Sequence, residues 1–120
     1  MTELERCSPW IAAALAHSGG THDLADIAQG IAENRLQLWP APKGCLVTEV
    51  LDYPRKRVLN VFLGGGDMDQ LLDMADDVTA WAKAVGCTGL TIHGRKGWER
   101  VFARRGWKPL HTCLTKDIEP

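Results

Sequence analysis

No apolar run in the sequence approaches the ~20 residues of a membrane-spanning helix, so a helical membrane anchor is not expected. Neither sign of charge prevails. With 14 Lys+Arg against 15 Asp+Glu, the formal net charge is −1, which argues against a bulk nucleic-acid binder. Close pairs of metal ligands are missing too. Cys7, Cys45, Cys87 and Cys113 form no Cys-x-x-Cys unit, and His17, His22, His93 and His111 supply no pair, so no metal is expected. Thiols this scattered read as free, and the apolar, strand-like surroundings of Cys45, Cys87 and Cys113 read as core. No low-complexity tract points to disorder. Met1-Thr2-Glu3-Leu4-Glu5-Arg6 lacks a basic stretch followed by an apolar one, so no secretory leader is expected and the cytoplasm is the expected location. What is present, 120 residues of which 45% are hydrophobic, suits one domain over 1–120 with a real core.

Helical spacing dominates the first third. Trp10, Ile11, Ala14 and Leu15 form a stripe behind Ser8-Pro9, which reads as N-cap and first helical residue; Ser18-Gly19-Gly20 ends it. Thr21 then opens a second helix, with Leu24, Ile27, Ala28 and Ile31 on one face. From Leu36 the pattern alternates. Leu36-Gln37-Leu38-Trp39 reads as a strand ending at the turn Pro40-Ala41-Pro42-Lys43-Gly44, and residues 45–51 as a second strand. Asp52-Tyr53-Pro54-Arg55 turns again, and residues 57–63, the most apolar, form a central third strand. Gly64-Gly65-Gly66 breaks the chain. Asp67 starts the longest helix, striped by Leu71, Leu72, Ala75, Val78, Ala82 and Val85, with Gly86 as the left-handed residue past its end. A short strand at 88–93 follows, then a basic helix at about 96–105 stopped by Gly106, and one or two closing strands within 107–117. The order is α-α-β-β-β-α-β-α-β(β). Short turns predict antiparallel hairpins and the strand–helix–strand unit predicts parallel pairing, giving an α/β protein with a mixed (α+β) sheet covered on both faces.

That order, with particular residues, resembles the GNAT (acyl-CoA N-acyltransferase) fold lacking its first strand, over residues 10–118. Residues 57–66 look like the family's central strand and phosphate loop, 67–85 like the helix after it, and 95–107 like the closing helix with its Gly-aromatic end, here Gly106-Trp107. More narrowly, Leu38-Trp39-Pro40, Thr48-Glu49-Val50, Tyr53-Pro54-Arg55 and residues 94–98 look like small GNAT-like proteins of phages and prophages. The resemblance implies acyl-CoA as the ligand, its pyrophosphate held on backbone N–H groups where the central strand meets the helix. Such amides carry about half a positive charge. Gly64, Gly65 and Gly66 would supply the Gly-x-Gly part of that cradle, with Arg95 and Arg100 as cations for the phosphates.

Three positions depart from the family's pattern. Val61 stands where Gln or Arg is usual. Asp67 competes for the cradle's amides, since Asp67-Met68-Asp69-Gln70 reads as a capping box with Asp67 bonding forward and Gln70 back. Phe102 stands where the family's thiolate-protonating Tyr lies and has no proton to give; the one tyrosine, Tyr53, sits in a turn. Glu49, in line with Val47 and Leu51, and His93, at the end of its strand, are the two candidate general bases.

The charge map is uneven. Arg55, Lys56 and Arg57 precede the central strand; Lys96, Arg100 and Arg104 share a face of the last helix, and Asp69, Asp73, Asp76 and Asp77 line the long one. Both helices read first as solvated faces. Three functions stay open. The first is a phage or prophage accessory or virion-associated protein of GNAT shape, non-catalytic, with a degenerate acyl-CoA site. The second is an acyl-CoA-dependent N-acyltransferase that uses acetyl-CoA on an amine and works mainly by proximity. The third is a regulator that docks on a host protein or nucleic acid through the basic helix. Val61, Asp67 and Phe102 favour the first. Its partners would be phage or host proteins, and its location the bacterial host cytoplasm or the virion; neither membrane nor nucleic acid is expected as a partner. Trp39 beside Pro40 and a short C-terminal edge strand leave a homo-oligomer open.

Overall fold

The first helix opens earlier than its Ser-Pro pair suggests. In the computed structural model, which describes residues 1–94 and 96–120, α1 runs Glu3–Leu15. The Thr2 hydroxyl accepts from the Glu5 N–H at 3.1 Å, and Glu3 and Glu5 place negative charge in the first turn. Ser8 and Pro9 therefore lie inside the helix, with Ser8 Oγ donating to the Leu4 carbonyl at 2.8 Å and Pro9 exposed. Arg6 pairs with Glu3 and also reaches across to the Ala41 and Pro42 carbonyls at 2.9 and 3.0 Å. The second helix, α2 (Leu24–Ala32), likewise starts at a stronger cap than Thr21. Asp23 and Asp26 cap reciprocally: the Asp26 N–H donates to Asp23 Oδ1 at 3.0 Å and the Asp23 N–H to Asp26 Oδ2 at 2.9 Å.

Among the described residues the sheet has four strands in the order β1 (Leu36–Ala41), β2 (Gly44–Asp52), β3 (Arg57–Gly66), β4 (Gly89–Ile92). The pairings are antiparallel, antiparallel and parallel, as the turn lengths predict. Pro42-Lys43 joins β1 to β2, and a Tyr53 N–H to Lys56 carbonyl bond of 2.8 Å closes the next turn. The crossover from β3 to β4 is two helices and not one, α3 (Met68–Asp73) and α4 (Ala75–Ala84). They part at Met74, whose N–H turns to the Leu71 carbonyl three residues back, so that α3 packs on β2 while α4 packs on β4. The last helix is α5 (Lys96–Ala103).

Side chains alternate along the strands into two apolar layers. Cys7, Ile11, Ala14 and Ile27 of α1 and α2 meet Leu36, Cys45, Val47 and Leu63; on the other face Leu71, Val78 and Ala82 meet Leu46, Leu59 and Val61. Each Leu, Ile or Val side chain among them contributes about 1.5–3 kcal/mol on full burial. Trp39 and Trp81 meet edge to face at 5.9 Å on the second layer. A bulge shifts the register: Val47 opposes Leu63 and Thr48 opposes Val61, so Phe62 is the extra residue and packs, with Leu63, toward α1 and α2.

Two expectations need correction. Gly64-Gly65-Gly66 do not break the chain but extend β3 along Leu46, Cys45 and Gly44. The expected closing strand within 107–117 does not form: no strand follows α5 among the described residues. Trp107 turns back instead, its N–H on the Phe102 carbonyl at 3.2 Å and its ring 5.5 Å from that of Phe102, and Pro109 brings no N–H to a ladder. Cys113 is consequently exposed and not core; Cys7 and Cys45 are buried and Cys87 half-buried.

Candidate ligand site

The end of β3 is the place where a phosphate loop would lie. Gly66 there has φ +99°, a left-handed conformation, and presses on the Lys43 carbonyl and Gly44 Cα so closely that no side chain fits. The Asp67 N–H donates to the Lys43 carbonyl at 2.8 Å. Asp67 Oδ1 then accepts from the N–H groups of Asp69 at 2.9 Å and Gln70 at 3.3 Å. The forward half of the expected capping box is thus present. The backward half is not, because Gln70 Oε1 accepts from the Lys43 N–H at 2.6 Å and so clasps the β1–β2 turn.

Beside these amides, β3 and β4 pair only as far as Val61 and Ile92, with one more bond from the His93 N–H to the Val61 carbonyl at 3.3 Å. Trp98 of α5 lies in the gap beyond. A β-carbon at Gly64 would sit 2.5 Å from its Cη2, and one at Gly94 2.7 Å from its Cε3. The two glycines leave room for the indole. Asp67 and Trp98 thus stand at the end of β3 and beside the gap that opens past the last β3–β4 pair.

A polar row crosses the opposite face of the sheet. Asn60, wholly buried in β3, donates from Nδ2 to Glu49 Oε1 at 3.0 Å and accepts at Oδ1 from the Thr91 hydroxyl at 2.8 Å, so β2, β3 and β4 are stitched at one level. Glu49 is half-buried and lines an open cleft of about 730 Å³, whose walls include His22, Asp26, Gln29, Arg35 and Asp52. His22 stands edge-on to Phe62 at 4.8 Å and shares a 2.7 Å hydrogen bond between Nδ1 and the Thr21 hydroxyl. The Arg57 guanidinium, bonded to Asp52 at 2.6 Å, holds that carboxyl below the ordinary aspartate value. Glu33 is held low by its hydrogen bond from Gln29 and by Arg35.

The candidate residues are therefore dispersed. Glu49 lies in the cleft, whereas His93 is exposed past β4 and shares no hydrogen bond with it among the described residues. Gly64, Gly65 and Gly66 sit in the sheet, Arg100 is exposed on α5, and Arg95 lies outside the described residues. Phe102 packs between Trp98 and Trp107. Sequence reasoning passed over Asn60 and Thr91. The signal was there, since an amide in the middle of Val58-Leu59-Asn60-Val61 needs buried partners. The place of Trp98 was not legible either, because nothing local tells that an indole is shared between Gly94 and the distant Gly64.

No protein-family model matches the sequence, and no curated protein matches it. Solved structures do. An acetyltransferase of Trypanosoma brucei superposes with a TM-score of 0.66 at 12% identity, covering 98% of this chain and 96% of that one. A Thermus thermophilus protein gives 0.66 at 17%, covering 100% and 95%. A GNAT family acetyltransferase of Staphylococcus aureus gives 0.61 at 10%, covering 97% and 92%. At these identities the likeness concerns the fold: this chain is a mixed α/β protein with the GNAT acetyltransferase fold.

Proposed function

We propose that the chain is a GNAT-shaped accessory protein whose acyl-CoA site is degenerate and which does not transfer acyl groups. One observation carries the reading: the Asp67 carboxylate already holds the Asp69 and Gln70 amides on which a pyrophosphate would rest. Trp98 between Gly64 and Gly94, and Phe102 where a proton donor is usual, support it. As arranged, these residues do not fit acyl-CoA. A phage or prophage setting, in the host cytoplasm or the virion and with phage or host proteins as partners, is supported by the resemblance of Leu38-Trp39-Pro40, Thr48-Glu49-Val50 and Tyr53-Pro54-Arg55 to such proteins.

The test is the thermal midpoint with and without acetyl-CoA at millimolar concentration. A ligand at a hundred times its Kd stabilises by about 2.7 kcal/mol. At ~2.1 cal/mol/K of unfolding entropy per residue, that raises the midpoint of a 120-residue chain by about 10 °C. The expected shift is below about 1 °C. A rise of several degrees, lost when free coenzyme A competes, overturns the reading. It would favour instead an N-acyltransferase that accepts an amine in the Glu49 cleft, for which the cleft's volume of about 730 Å³ is the supporting observation.

A further inference from the structure

Two stretches of opposite charge lie on one side of the sheet. From Asp67 to Asp77 there are five aspartates and no cation; from Arg100 to Lys108 there are Arg100, Arg104, Arg105 and Lys108 and no acid. All these side chains are exposed. The ion pairs found among the described residues, Arg6–Glu3, Arg35–Glu33 and Arg57–Asp52, involve neither stretch. Their common side follows from packing. Val78 and Ala82 of α4 cover Leu46, Leu59 and Val61, and Trp98 of α5 reaches Gly64 beside Leu46 on that same face. Immediately after the basic stretch come Leu110, Leu114 and Ile118, which are 73%, 89% and 93% exposed.

We propose that this face is a self-complementary interface for a second copy of this chain, the acidic α3–α4 stretch of each seated on the basic α5 and C-terminal segment of the other. The occupant is argued from charge complementarity. A face that carries both signs can meet itself, unlike to unlike, twice under a two-fold axis, which closes the assembly at a dimer. Opposite potentials orient the encounter, and the three exposed aliphatic chains supply the apolar area that charge alone does not. The proposal does not depend on whether acyl-CoA binds.

Sedimentation velocity of the full chain at ~50 µM tests it, in ~20 mM and ~500 mM NaCl, conditions on either side of strong screening. The expected result is a dimer at low salt whose Kd rises at least ~10-fold at high salt. Asp76→Lys with Asp77→Lys, and separately Arg100→Glu with Arg104→Glu, should each give a monomer. All four positions are exposed, and the far-UV circular dichroism of each variant checks that its fold is kept. An equimolar mixture of the two charge-reversed variants should associate again, because each reversed stretch then meets a partner of opposite sign. A monomeric wild type at low salt, association indifferent to the reversals, or failure of the mixture to associate overturns the proposal. So does a monomer that binds a short DNA duplex through Arg100 and Arg104, which would give the basic stretch to nucleic acid.

Discussion

Adding one methyl group at Gly64 reads the position of Trp98 directly. The new β-carbon would stand 2.5 Å from Trp98 Cη2 and 2.9 Å from Leu46 Cδ2, far inside van der Waals contact. Overpacking of this kind costs about 1–3 kcal/mol. At ~2.1 cal/mol/K per residue, each kcal/mol lowers the midpoint of this chain by about 4 °C. Trp98→Ala alone removes a half-buried indole, so its cost should fall at about 1–3 kcal/mol, below the range for a fully buried aromatic residue. Combined, the two changes should partly cancel. The methyl group of Gly64→Ala enters the space that the indole vacates, and the remaining neighbour, Leu46 Cδ2, is the free end of a side chain that can turn aside. The double variant should therefore be more stable than the sum of the singles by about 1–2 kcal/mol. Urea unfolding of wild type, both singles and the double, with unchanged m values, measures this coupling. Additivity to within about 0.5 kcal/mol would show that the indole does not fill the gap beside β3, and would remove one support of a closed acyl-CoA site.

Two further outcomes are expected. Asp52 is held low by Arg57, so its contribution to stability is present near neutral pH, above the unfolded aspartate value, and is lost as pH falls through the lower folded value. The midpoint of wild type should exceed that of Asp52→Asn at pH 7 and converge with it well below pH ~4, and a gap that grows on acidification would refute the pairing. Burial and the neighbouring Cys7 push the Cys45 thiol up to about 12, and burial raises Cys87, whereas Cys113 is exposed. Iodoacetamide at pH ~8 should accordingly alkylate Cys113 first and Cys45 only on unfolding, as peptide mass mapping over time would report.

The sequence carried those parts of the fold that depend on local pattern. Strand alternation, the two short turns and the glycine at 86, which has φ +91°, were legible because each is set by neighbours in the chain. Helix starts were less so: Ser8-Pro9 and Thr21 look like openings, yet Thr2 and Asp23 outcompete them with caps whose value depends on the next turn's amides. The triple glycine misled for a different reason. Its meaning lies in what it touches, the Pro42-Lys43 turn and Trp98, and such contacts between distant segments leave no periodic trace. The Asp67 cap was readable from its spacing, but the role of Gln70 was not, since its partner lies 27 residues away. The closing strand failed because apolar residues at 110 and 114 look the same whether they find a sheet edge or remain in water.

The β1–β2 turn has a consequence for how the molecule breathes. Arg6 grips Ala41 and Pro42 from the α1 side, while Gln70 and Asp67 grip Lys43 from the α3 side, so one two-residue bend fastens segments that enter the chain far apart. Moving it freely requires both helices to release it together. That corner acts as a buckle between the two helices.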